Sequence, residues 1–161
     1  MVIVADSSPL ISFAILDHLS LLDKLFDKIA IPMAVYNELV QPSKPFADRL
    51  KVFLDGRVIS VHDVLAVNAL RQQVDFGEAE AMVLALEHKI ADILIDDYKG
   101  RQVAKTMGLN PVGTLGVLLQ AKEKKFIPNV RELMDMLMIN NIRIGKDLYQ
   151  HALLLSGEIK I

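Results

Sequence analysis

"ADILIDDYKG", residues 91–100, decides how this chain is read. Ile93-Leu94-Ile95 is a short apolar run of the kind that forms a strand buried on both faces. It stops at two adjacent carboxylates, Asp96 and Asp97. A helical stretch, "YKGRQVAKTMG", follows and is closed by Gly108. Strand, acids, then helix is a unit of a parallel α/β sheet, and in such sheets the functional crevice lies beyond the carboxyl ends of the strands. Capping the helix that starts near Tyr98 accounts for one of the two acids and leaves the other to be explained.

Working outward, the same alternation recurs. "VIVA" at 2–5 and "KIAI" at 28–31 suit buried strands, "RVISV" at 57–61 is a further strand candidate, and "NPVG" at 110–113 holds a last short one. Ser8-Pro9 looks like an N-cap with proline at the first helical position. Helices are expected around 18–27, from Pro32 to Pro42, at 46–55, at 64–73 and at 77–89. The last, "GEAEAMVLALEHK", is apolar on nearly all sides and is therefore expected to be buried. In 130–138, Val130, Leu133, Met134, Leu137 and Met138 make an amphipathic helical stripe. The pattern predicts an α/β fold with a mainly parallel central sheet. No linker divides it, so residues 1–161 are expected to form a single domain, with 126–161 a helical C-terminal extension.

With 161 residues and a hydrophobic fraction of 52%, the chain can bury one sizeable core and is not disordered. No apolar stretch reaches the roughly 18 residues that span a bilayer. The start, "MVIVADSSPL", lacks the basic region of a signal peptide. The absence of cysteine removes disulfides, thiolate metal sites and cysteine nucleophiles, and fits a cytoplasmic protein. Four histidines scattered along the chain exclude a histidine-rich zinc site. The net charge of −2 offers no global attraction to nucleic acid, so such binding requires a local basic patch or bound cations.

Acids recur where the sheet's crevice is expected. Asp6 directly follows "VIVA". Glu38 lies in the last turn of a short helix, where it opposes the helix dipole. Glu78 and Glu80 open the buried helix. Asp75-Phe76-Gly77-Glu78 has the form of a capping box, which explains one glutamate of that pair but not both, since residues two apart do not share a helix face. Taken singly, Asp6 reads equally as a turn residue and Glu38 as a solvated surface acid. Brought together, such carboxylates repel by about 4 kcal/mol per close pair at an effective dielectric near 20. A cation relieves that repulsion, and an all-oxygen ligand set suits Mg²⁺ or Mn²⁺. The chemistry that uses this arrangement is phosphodiester hydrolysis.

These residues resemble the PIN-domain nucleases, most closely the VapC-like toxins and their uncharacterised prokaryotic relatives. The resemblance runs from about Val2 to Leu119 and rests on "VADSSPLI", the glutamate of "AVYNELV", "GEAEAMVLAL" and "LIDDYKGRQVAKTMGLNPVGTLGVLL". It implies an α/β/α sandwich and a catalytic, metal-binding set of Asp6, Glu38, Glu78 and Asp97, with Glu80 and Asp96 as secondary ligand candidates and Ser8 in support. The family often has threonine where this chain has Ile95, so one supporting hydroxyl is missing. The resemblance further implies a Mg²⁺- or Mn²⁺-dependent endoribonuclease, commonly a homodimer or higher homo-oligomer, often neutralised by an antitoxin encoded beside it. Lys99, Arg101 and Lys105 follow the acid pair and are the candidates for contacting RNA phosphates; a solvated helix face is the alternative.

Two other classes compete. A receiver-like phosphoacceptor is also α/β, but normally carries an acid pair directly after the first strand, and here Asp6 precedes two serines. A D-x-D phosphatase fails because position 8 is serine. A non-catalytic binding module would keep the fold while its acids served only as caps.

Overall fold

The structure, a computed structural model, describes residues 1–160, so the single-domain expectation for 1–161 reaches Ile161 outside the described residues. The elements run β1 (Val2–Ala5), α1 (Ser7–Ile15), α2 (Leu19–Leu25), β2 (Lys28–Pro32), α3 (Met33–Leu39), α4 (Ala47–Leu54), β3 (Val58–Ile59), α5 (Val64–Leu70), α6 (Phe76–Glu87), β4 (Asp92–Leu94), α7 (Tyr98–Thr106), β5 (Asn110–Val112), α8 (Thr114–Glu123), α9 (Arg131–Ile139) and α10 (Lys146–Leu155).

The five strands form one all-parallel sheet in the order β3-β2-β1-β4-β5. Period-two alternation sorts their side chains between two cores. Ile3, Ala5, Ile29, Ile31 and Leu94 pack with α1, α2, α4, α8, α9 and α10 on one face. Val4, Ala30, Ile93 and Ile95 pack with α5, α6 and α7 on the other. The result is the α/β/α sandwich that the resemblance implied. Helix α6 is buried along most of its length, as its apolar circumference required.

The strand order also fixes where a site can form. From β1 the chain builds outward through β2 and β3, then crosses to the opposite side of β1 for β4 and β5. The direction reverses between β1 and β4, and a crevice opens at such a switch point beyond the strands' carboxyl ends. Asp6 leaves β1 there, and Asp96 and Asp97 leave β4. The amide of Asp6 donates to the Leu94 carbonyl at 2.9 Å, which pins the two strand ends together. A receiver-like sheet has the order 2-1-3-4-5 and would place its switch point elsewhere.

Several boundaries differ from expectation: the helices expected from Pro32 to Pro42 and at 64–73 end at Leu39 and Leu70. The N-cap of α1 is Asp6, not Ser8; its backbone is extended, and Pro9 falls at the third helical position. Proline is tolerated there because the first-turn amides have no intrahelical partner. Strand β3 is only two residues long, since Val58 and Ile59 are half-buried and pair with β2 alone at the sheet edge.

The C-terminal helices join the first core through Leu133, Met134, Leu137, Ala152 and Leu153. Glu158 fastens them. Its carboxylate accepts from the amides of Val130 at 2.8 Å and Arg131 at 3.1 Å, where α9 starts, and pairs with Lys122 of α8 at 3.1 Å. Burial alone would raise the Glu158 pKa. The two amides, Ser156 and Lys122 outweigh burial and hold it down at about 2.

Candidate active site

Asp6 is 6% exposed, and its side chain makes no capping bond to α1. Burial pushes its pKa up to about 7. The Ser7 amide opposes that rise, while the charges of Asp75, Glu38 and Asp96 add to it. Glu78, 5% exposed, is held at the start of α6 by the expected capping box: its amide donates to Asp75 Oδ1 at 2.8 Å, and its Oε1 accepts from the Asp75 amide at 3.2 Å. Oε2 of Glu78 is buried with no hydrogen-bond partner. Burial, then the nearby Asp75 and Asp6 charges, raises the Glu78 pKa to about 8 against the pull of the Asp75 amide.

Glu38 reaches the same place from α3. It is exposed at its outer side, and Ser7 Oγ donates to its Oε2 at 2.8 Å. Gly77 marks the convergence: a Cβ there would lie 3.5 Å from Glu38 Oε2 and 3.7 Å from Asp6 Oδ1. Gly100, in the first turn of α7, marks it from the other side. A Cβ on Gly100 would collide with Glu78 Oε2 and stand 2.7 Å from Ile95 Cδ1. Asp97 Oδ2 accepts from the Gly100 amide at 2.8 Å and so caps α7. Glu78 and Asp97 therefore meet the same helix start. An open crevice of about 430 Å³ borders the Glu38 and Asp75 side of this group, lined by Asn37, Glu38, Gln41, Asp75 and Gly77.

The other sequence candidates are engaged elsewhere. Glu80 Oε1 accepts from the Ala34 amide at 2.8 Å, which caps α3, whose own N-cap, Pro32, provides no side-chain acceptor. Asp96 accepts from the amide and hydroxyl of Thr114 at 2.7 and 2.6 Å and so fixes the start of α8. The hydroxyl beside the acids is that of Ser7. Ser8 is exposed and faces a separate cavity. Arg101 turns back over the strand end and donates to the Ile95 carbonyl at 3.2 Å. Lys99 is exposed in the first turn of α7, whereas Lys105 sits in its last turn, about 9 Å further along the axis. Asp75 joins the group as a further acid; its capping-box spacing was visible in the sequence, its approach to Asp6 was not.

Among the described residues, no three acids or histidines stand close enough to form a ready cation cage. The donor chemistry nonetheless fits a hard divalent cation. Asp6 and Glu78 are buried oxygen donors, the Asp6 charge opposes ionisation of Glu78, and Glu78 Oε2 lacks any partner within the protein.

An all-parallel α/β/α sandwich with acids gathered at its switch point defines a class of fold, and comparison with known families identifies it. The model of a family described as a PIN domain matches residues 2–158, and the chain belongs to the PIN-domain family, whose members are generally nucleases. Neither the curated proteins nor the solved structures searched give a match. Among the described residues no helix is long and apolar enough to cross a membrane.

Proposed function

We propose that this chain is a Mg²⁺- or Mn²⁺-dependent endoribonuclease of the VapC-like kind, the toxin of a toxin–antitoxin pair. The observation that carries the metal-dependent reading is Glu78 Oε2, a buried and unpartnered carboxylate oxygen beside the buried carboxylate of Asp6. A protein with only structural use for these acids has no reason to bury two of them together, because desolvation and mutual repulsion both oppose it.

In this reading Asp6, Glu38, Glu78 and Asp97 hold the cation. Asp6 and Glu78 keep protons near neutrality and release them where a cation takes their place. Glu38 is oriented by the Ser7 hydroxyl, and Asp97 is steadied by the Gly100 amide. When bound, a divalent cation supplies an activated water and stabilises charge on the phosphoryl oxygens. Glu80 and Asp96 orient α3 and α8 at the rim of the crevice. Lys99 is the phosphate contact nearest the acids, Arg101 positions the β4 end, and Lys105 stands too far along α7 to touch the same phosphate. The RNA specificity, the antitoxin, the homodimer and the cytoplasmic location rest on the resemblance to VapC-like toxins. Residues 1–161 act as one unit, with the C-terminal helices fastened by Glu158.

The test is incubation of the purified protein with structured and single-stranded RNAs in Mg²⁺, Mn²⁺ or chelator. Cleavage confined to the metal arms is expected. Cleavage that persists in chelator, or none with any RNA, contradicts the reading.

A further inference from the structure

A second cavity, of about 350 Å³, is separate from the acid crevice and reaches the strand ends that carry the acids. Asp6 follows β1 directly, and Ser8, two residues on, lines the cavity. Asp96, at the end of β4, also lines it. The walls are apolar, formed by Ile11 of α1, Leu115 of α8, Leu137 of α9 and Ile144 in the segment before α10. Polar residues, Ser8, Ser12, Asp96, Thr114, Asn141 and Arg143, are set among them. Ser12 is 2% exposed and lines the cavity, and Asn141 and Arg143 come from the segment after α9. Asn141 adopts a left-handed backbone, φ 66°, that turns this segment back across α1. The cavity therefore has one wall from α1, α8 and the turn after β4, and one from α9, α10 and the segment between them.

We propose that this cavity binds one unpaired base of the RNA substrate beside the phosphate that is cut, so that the C-terminal helices determine which base is accepted. The inference rests on the nuclease reading and adds its specificity. A base has two flat apolar faces and a polar edge. Aliphatic walls with a few convergent hydroxyl, amide and guanidinium groups match that description. At about 350 Å³ the cavity is near the small end of ligand sites, enough for a single nucleoside and too small for a base pair or a peptide helix. Recognition of a splayed-out base requires a single strand or loop, which is how proteins usually read RNA sequence. Arg143 is exposed, so its guanidinium can meet the phosphate that follows the bound base. The wall is firm because Glu158 holds the start of α9.

Binding and cleavage separate the inference from the reading beneath it. Titrating the four nucleoside 3′-monophosphates into the metal-free protein, followed by calorimetry, should show one base bound roughly tenfold or more tighter than the weakest. Cleavage of a single-stranded RNA of mixed sequence should favour that same base beside the cut. Leu148→Trp, which fills the cavity from a half-exposed position, should abolish the base preference in both assays while the variant melts cooperatively. Arg143→Ala should weaken all four monophosphates alike. Four equal affinities, no binding, or a preference that survives Leu148→Trp overturns the inference. Base-blind cleavage would leave the nuclease reading standing without it. Selective monophosphate binding without any cleavage would keep the cavity and remove the nuclease.

Discussion

Glu78 and Asp75 cap one another at the start of α6, and the exchange uses only half of the glutamate: Oε1 accepts the Asp75 amide at 3.2 Å, while Oε2 stays buried and unpartnered. The capping box that gives Glu78 a structural purpose thus also leaves its second oxygen free, facing Gly100 at the start of α7.

Stability of the metal-free protein should fall as the solution becomes more alkaline. Folding raises Asp6 from 3.8 to about 7 and Glu78 from 4.5 to about 8. Between the ordinary and raised values the folded state binds more protons than the unfolded, so the slope of unfolding free energy with pH is negative. The contribution is complete below the ordinary values and gone once the pH passes the raised ones, a loss on the order of a few kcal/mol. Urea unfolding in chelator across this range checks it. Flat or rising stability from these groups would mean they are ionised in the folded chain.

Gly100→Ala should fail to stabilise. In an exposed helix the exchange gains up to about 1 kcal/mol. Here the new methyl meets Glu78 Oε2 and stands 2.7 Å from Ile95 Cδ1, so both side chains must give way. Overpacking of this kind costs about 1–3 kcal/mol. Weaker Mn²⁺ binding should accompany the loss, measured by calorimetry. A more stable variant with unchanged Mn²⁺ affinity would remove Glu78 from the site.

Asp97 carries two roles that its replacements can separate. Asp97→Ala deletes the acceptor for the Gly100 amide and should cost about 1 kcal/mol in chelator. Asp97→Asn keeps the cap and should leave the chelated protein unchanged. Both should shrink the rise in melting temperature given by saturating Mn²⁺, which for wild type corresponds to about 2.7 kcal/mol at a hundredfold excess over the dissociation constant. An undiminished rise in both variants would leave Asp97 a cap and nothing more.

Lys99→Ala should weaken RNA binding and lower the slope of affinity against salt by about 1, as expected when one phosphate contact is lost. Lys105→Ala, at the far end of α7, should change neither. Equal effects from both would point to a diffuse field rather than a contact.

Much of this architecture was legible because the strands are short, apolar and followed at once by helices. "VIVA" and "KIAI" were placed within a residue, and the acids after β1 and β4 fell at the switch point that parallel topology requires. What stayed hidden depends on contacts distant in sequence. Nothing near Glu80 reveals that its partner is the amide of Ala34, and nothing near Asp96 reveals Thr114. Ser7 and Ser8 are neighbours, and only the direction in which α1 leaves Asp6 decides that the Ser7 hydroxyl meets Glu38. Gly100 was a readable clue: a glycine in a helix's first turn signals that another group approaches closely, here Glu78.

Asp6 and its neighbouring acids are proposed to work through a divalent cation to cut RNA. The most direct measurement compares wild type with Asp6→Asn on one single-stranded RNA in Mn²⁺ and in chelator, with melting curves to confirm that both are folded. Wild type should cleave in Mn²⁺ only, and the variant should not cleave while being at least as stable in chelator, since an amide removes a buried charge and is a poorer ligand for a hard cation. Cleavage by Asp6→Asn at the wild-type rate would contradict it.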